Sequence, residues 1–341
     1  MVKRQQPRVV HCIRSDAFAG VERYVTYVAP ELQRRGWDVT VVGGDPRRMR
    51  AELGRVRHFP AATTSAVLTK LMRVEKPALV HAHMTAAEAA AASAHVMRRF
   101  PVVVTRHFAA PRGSTPLVRF GARFIRASLA GQISVSRFVA NSIGEPSTVL
   151  LNGVPLADRT MANDLVVLMA QRLEPEKQTE VAIEAWARSS LRHRGWRMVV
   201  AGNGRLRADL IERISQRSLG GSVTLLGMHN DMASLMSRSS IFLATSPDEP
   251  FGFSVVEAMA AGIPVVAARA GAHTETVGSV SDRWLFSAGD AGQAASMLDA
   301  LGQDPEARER YGNQLRAAQR QHLSLAVHVD QLEVIYRDLA K

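Results

Sequence analysis

Short β-branched runs alternate with stretches of helical length from one end of the chain to the other. In the first half the runs are "RVVHCI", "DVTVVGG", "ALVHAH", "PVVVTRH" and "GQISVS". In the second they are "DLVVLMA", "WRMVVAG", "SVTLLG", "SIFLATS" and "GIPVVAA". Nearly continuous apolar strands separated by helices predict parallel sheets covered by helices on both faces. Among those helices is "VERYVTYVAPELQRRG", which should stop at Gly36 and be kinked or broken at Pro30. A closing segment, "LSLAVHVDQLEVIYRDLAK", puts Leu325, Val329, Leu332, Ile335 and Tyr336 on one helical side. At 341 residues the chain is long enough for two cores. The polar stretch "PLADRTMAND" marks the break. The expectation is an α/β chain of two doubly wound domains, 1–157 and 162–323, with the helix 324–341 packing back on the first. In such sheets ligands bind beyond the carboxyl ends of the strands, so the residues to examine are those just after each run.

Composition excludes several classes. Apolar residues make up 46% and charged residues 22%, an ordinary globular balance. No stretch reaches 18 uninterrupted apolar residues, and the alanine-rich "TAAEAAAASAHVM" is broken by Glu88, so no membrane span is predicted. No apolar leader follows the basic N-terminus, and the single cysteine, Cys12, lies in an apolar run as a core thiol. Both point to a reducing cytoplasm. The net charge of +12 is uneven: residues 1–155 hold 23 Lys and Arg against 9 Asp and Glu, the remainder 20 against 22. The first half should therefore meet something anionic. In "PLVRFGARFIRASLA", Arg119, Arg123 and Arg126 share a helical face near Leu117, Phe120 and Phe124. Three readings stay open there: peripheral contact with an anionic membrane, binding of an acidic or lipid-linked acceptor, and a solvated face. No nucleic-acid-reading motif accompanies the charge.

The stretch "EPFGFSVVEAMAAG" (249–262) carries the strongest chemistry. It follows the strand run "SIFLATS", so Glu249 falls in a post-strand loop, Gly252 allows close backbone approach, and a helix begins at Ser254 and ends at Gly262. A helix N-terminus at a strand end is an anion site. Locally, Glu257 is equally readable as the partner of Ser254 in a capping box, and Glu249 as a solvated loop carboxylate.

Together with "GMHNDMASLMSRSSIFLATSPD" upstream and "IPVVAARAGAHTE" downstream, this stretch resembles the retaining glycosyltransferases of family 4, which have the GT-B fold of two Rossmann-like domains facing across a cleft. The glutamates match that family's E-x7-E motif. The resemblance implies that Glu249, with the main-chain N–H groups of Phe251, Gly252 and Phe253, grips donor-sugar hydroxyls. It implies that Glu257 binds a nucleotide ribose, and that Ser254 and Val255 at the helix N-terminus meet the diphosphate. "QRLEPEKQ" resembles the GRLxxxKG element, so Arg172 and Lys177 would neutralise the leaving diphosphate in place of a metal, although Gln171 and Gln178 stand where the pattern has glycines. "AGNGRLRADL" resembles the G-D-G-P-L element, offering Asn203 and Gly204 near the base, and Met228 and His229 would lie beside it.

In the first half "RSDAFAGVERYV" resembles the loop that touches the diphosphate, through Gly20. "ALVHAHM" and "VVVTRHF" place His83 and His107 after strands, the first read as structural and the second as near the donor sugar; Ser136 and Asn152-Gly153 also match the pattern. The implied activity is transfer of a sugar from a nucleotide diphosphate to an acceptor hydroxyl, with retention. No cofactor or metal is expected, in keeping with the absence of a D-x-D triplet. The alternatives are a nucleotide-sugar epimerase of the same architecture and a non-catalytic sugar-nucleotide-binding protein.

Overall fold

The computed structural model describes residues 6–75, 77–110, 125–158, 164–229 and 231–339. It divides into two compact units, Met1–Gly153 with Leu325–Lys341, and Val154–Ser324.

The first unit is built on a parallel sheet of seven strands: β1 (Arg8–Ile13), β2 (Asp38–Val42), β3 (Arg57–Phe59), β4 (Leu79–His83), β5 (Val102–Arg106), β6 (Gly131–Ser134) and β7 (Thr148–Val149). Their order is β3-β2-β1-β4-β5-β6-β7, so the direction of winding reverses between β1 and β4. Side chains alternate across a strand, and the two faces of this sheet differ sharply in chemistry. On one, Val10, Cys12, Val80, Ala82, Val102 and Val104 pack in an aliphatic core with residues of the helices Thr64–Arg73 and Thr85–Arg98. Burial pushes the Cys12 thiol up to about 12, so it is an inert core group. The other face carries His11, His81, His83 and Thr105, all buried. Rings from two helices meet it: Tyr24 of Gly20–Arg34, and His328 and Tyr336 of Leu325–Leu339.

The helix Gly20–Arg34 continues through Pro30, so the proline does not break it. Val21, Tyr24, Val25, Val28, Ala29 and Leu32 are all buried along it. That burial outweighs the roughly 3 kcal/mol that an interior proline costs.

The second unit holds a six-stranded parallel sheet: β8 (Val166–Ala170), β9 (Arg197–Ala201), β10 (Val223–Gly227), β11 (Ile241–Ala244), β12 (Val265–Ala268) and β13 (Leu285–Phe286). The order is β10-β9-β8-β11-β12-β13, with the reversal between β8 and β11. Both units are doubly wound and Rossmann-like. Among the described residues no helix is long and apolar enough to cross a membrane.

Candidate functional site

In a doubly wound sheet the loops on either side of a reversal diverge and leave a crevice at the carboxyl ends of the strands. In the second unit the loops concerned are Gln171–Gln178 after β8 and Thr245–Gly252 after β11. Gln171 replaces a glycine of the pattern, and its side chain organises the first of these loops. Its Nε2 donates to Lys177 O at 3.0 Å and to Thr179 Oγ1 at 3.0 Å. From β11, Thr245 Oγ1 donates to the same Lys177 carbonyl at 2.7 Å. The Lys177 main chain is thus held from both strands. Its Nζ reaches Glu249 Oε2 at 2.6 Å, with only 13% and 18% of the two side chains exposed. Arg172 lies in the same loop but does not join that pair. Its Nη2 sits 2.7 Å from Glu176 Oε1, with 61% of its side chain exposed. Glu176 is held below the usual carboxylate range by a hydrogen bond from its own backbone and by the charge of Arg172.

Glu249 is fixed through its backbone as well. Ala272 N–H donates to Glu249 O at 2.9 Å. Gly271, at φ 54°, lies so close that a Cβ there would stand 2.6 Å from that oxygen. The helix that follows spans Phe253–Ala261, and its N-cap is Gly252 in the left-handed region, with no side chain capping it. Ser254 is already inside the helix, and its Oγ donates to Ala170 O at the end of β8, at 2.9 Å. Ser254 is therefore not the cap of this helix: Gly252 holds that position, and the Ser254 hydroxyl ties the helix to β8. Phe251 is buried edge-on against Phe253, with ring centroids 5.1 Å apart. Val255 is buried, so only its main chain could meet a ligand at the helix N-terminus, while Glu257 is half-buried.

The glycines after β9 make close contacts with the Arg172 loop. A Cβ at Gly202 would lie 1.9 Å from Gln171 O, and one at Gly204 2.4 Å from Leu173 O. Asn203 is exposed and accepts from Leu173 N–H at 3.0 Å through its carbonyl. Met228 and His229, after β10, are exposed. Sequence reasoning missed His273, which is buried with Nδ1 3.2 Å from Ala268 O. Burial lowers its pKa, and the charges of Glu249 and Lys177 act on it in opposite senses, so it lies within electrostatic reach of the pair. It lies just past the motif, in the quoted "GAHTE", yet nothing in its spacing distinguished it.

In the first unit Gly20 is the exposed first residue of its helix, and Ala19 N–H before it donates to Glu22 Oε2 at 2.9 Å. His83 ends β4, fully buried, and its Nδ1 meets His107 Nε2 at 3.0 Å. Ser136 caps the helix Arg137–Ile143 by accepting from Val139 N–H, a structural role. Asn152 is 1% exposed, and its Oδ1 has no hydrogen-bond partner among the described residues. Of the basic helix expected over 116–130, Leu117, Arg119, Phe120, Arg123 and Phe124 lie outside the described residues.

Chemically, the second unit sets a carboxylate, an ammonium and an uncapped helix N-terminus around one crevice. Carboxylates recognise hydroxyls; N–H groups and cations recognise phosphate oxygens. Among the described residues the group with metal-ligand spacing is His11, His81 and His83, in the first unit.

A family model described as "Glycosyltransferase Family 4" matches residues 18–158, and one described as "Glycosyl transferases group 1" matches residues 159–318. The 2-deoxystreptamine N-acetyl-D-glucosaminyltransferase of Streptomyces fradiae is 25% identical over 361 aligned positions, covering 92% of this chain and 85% of its own. The alpha-D-kanosaminyltransferase of Streptomyces kanamyceticus is 30% identical over 176 residues, 51% of this chain and 46% of its own. Several matches to curated relatives span less than half of the relative's length. The crystal structure of Anabaena HepE in complex with UDP and glucose superposes with a TM-score of 0.84 at 20% identity, over 98% of this chain and 100% of that one. The fold is that of the GT-B proteins.

Proposed function

Since the chain belongs to the group 1, family 4 glycosyltransferases, matched without a gap from residue 18 to residue 318, we propose that it transfers a sugar from a nucleoside diphosphate to an acceptor hydroxyl. The observation that carries the reading is the Lys177–Glu249 pair at 2.6 Å, set at the reversal of the second sheet beside an uncapped helix N-terminus. Glu249 accepts from sugar hydroxyls. The N–H groups at Phe253–Val255, with Lys177 and Arg172, face the diphosphate, and Glu257 takes the ribose. Because Lys177 touches Glu249, the sugar grip and the phosphate grip are mechanically joined. Arg172 is held only by a solvent-exposed ion pair, of little energetic consequence, so it is free to exchange Glu176 for a phosphate.

On this reading, fixed cations stabilise the negative charge that grows on the leaving diphosphate as the glycosidic bond breaks, the role a metal plays elsewhere. Attack on the same face, with retention, follows from the family resemblance. The basic first half suits an anionic or lipid-linked acceptor. HepE was crystallised with UDP, so a uridine nucleotide is the first donor to try.

The test is donor turnover over a panel of UDP-sugars and acceptors, with the anomer of the product read by NMR, with and without a chelator. An acceptor-dependent product of unchanged anomeric configuration, formed equally with chelator, is the expected result. Conversion of the donor without any acceptor would instead identify an epimerase, and binding without turnover a sugar-nucleotide-binding protein.

A further inference from the structure

The buried polar face of the first unit is a single hydrogen-bonded file. Thr105 Oγ1 lies 2.6 Å from His81 Nε2, and His81 Nδ1 lies 2.5 Å from the Tyr336 hydroxyl. That hydroxyl is 3.4 Å from His11 Nε2, His11 Nδ1 is 3.0 Å from His83 Nε2, and His83 Nδ1 is 3.0 Å from His107 Nε2. The parallel register creates the file, since His11 pairs with His81 across β1 and β4, and His83 with Thr105 across β4 and β5. Tyr24 braces it by packing edge-on against His83 and His107. Thr105 is 2% exposed and the four other inner members 0%; only His107, at 7%, reaches towards solvent.

A neutral imidazole has one N–H and one acceptor nitrogen. An unbroken file of neutral members can therefore point in only two directions, all links donating towards His107 or all away from it. Burial favours the neutral form throughout, pushing His11 and His107 down to about 3 and keeping Tyr336 protonated. The closed end decides the direction. If Thr105 donates into His81 Nε2, its hydroxyl hydrogen is satisfied. If the file ran the other way, that hydrogen would be buried with no recorded acceptor among the described residues, a costly state.

We propose that this file is a tautomer lock: Thr105, His81, Tyr336, His11 and His83 act as positioning residues that hold His107 as its Nδ1–H tautomer, so that its outer nitrogen is a fixed hydrogen-bond donor. The described residues supply no partner for that nitrogen. It is therefore offered to an oxygen of a ligand bound at the carboxyl end of β5, a step beyond the donor-site reading of the second unit. The file conducts no proton. Reversing it would release the proton on His107 Nδ1 and require another to be delivered to Thr105 in the core. His107 is accordingly a donor and not a general base. The spacing of His11, His81 and His83 would also admit a metal ion, but all six of their ring nitrogens are already partnered within the file, and an ion would sever it.

The test uses the ligand-free full chain labelled with 15N-histidine, so failure of the donor-site reading would leave it standing. Long-range 1H–15N correlation near neutral pH should show His11, His81, His83 and His107 as neutral Nδ1–H tautomers. An Nε2–H tautomer or an imidazolium at any of the four overturns the lock, as does a stoichiometric metal retained after chelation that shifts their signals. Tyr336→Phe and Thr105→Val each cut one link while keeping shape. In folded variants, checked by circular dichroism, the cut should release His107 to a mixture of tautomers. An unchanged His107 in both variants would assign the file a packing role only and overturn the proposal.

Discussion

Gln178 sits at φ 48°, ψ 46°, a left-handed conformation that a side chain adopts at a cost of about 1 kcal/mol. The family pattern has glycine there, so the sequence raised a doubt whose physical content the backbone now supplies. Gln178→Gly should relieve that strain, partly offset by the greater freedom of the unfolded chain. A thermal melt should show the second unit's Tm raised by about 2 °C; a fall would mean that the Gln178 side chain contributes more than its backbone costs. Gln171, the other departure, is different in kind because its amide holds Lys177 in place. At Lys177 itself, Lys177→Met would leave Glu249 partly buried without its cation. A loss of about 1–3 kcal/mol in stability is expected, with donor affinity falling at least tenfold. Unchanged affinity by calorimetry would separate Lys177 from the site.

At the scale of elements, the long central strands were legible because both of their faces are buried and their sequences are nearly unbroken apolar runs. The edge strands β3, β7 and β13 were not, because two or three residues show no period. The cap of that helix was misplaced by two residues, at Ser254 where the structure has Gly252, since Ser254 has the chemistry of a cap and only the approach of Ala170 shows where its hydroxyl is used. The histidine file was hidden for a related reason. "VHC" and "VHAH" read as buried strands, and nothing in one dimension shows that their imidazoles share a face. Gly271→Ala tests the packing of β11's loop against the Gly271 turn. With 2.6 Å between the new Cβ and Glu249 O, the loop must move and Glu249 with it. Donor affinity should fall even though the substituted residue carries no functional group. Retained affinity would show that the loop yields without displacing the carboxylate.

The whole molecule divides its titrating groups as unevenly as its charge. Five buried histidines of depressed pKa lie in the first unit, His11 and His107 at about 3, His328 at about 4, and His81 and His83 well below 6.5, all through burial first. In the unfolded chain each takes up a proton near pH 6.5. Their contribution to stability is therefore fully present above pH 6.5 and is lost as the pH falls towards about 3, at a ceiling of about 1.4 kcal/mol per histidine per pH unit. The second unit has one such histidine, His273. Calorimetric scans from about pH 7.5 to about pH 5 should show the first unit's transition falling well ahead of the second's. His11→Leu should flatten that dependence, and parallel behaviour of the two units would contradict the account.

The central claim is that the second unit grips a nucleoside diphosphate between Glu249 and Glu257. The most direct measurement is the thermal shift of wild type and Glu257→Ala with UDP, GDP, ADP and dTDP. A ligand at 100 times its Kd adds about 2.7 kcal/mol, a shift of several degrees. The account predicts that one nucleotide stabilises the wild type and that Glu257→Ala loses the shift. No shift with any of the four, or an undiminished shift in the variant, would contradict it.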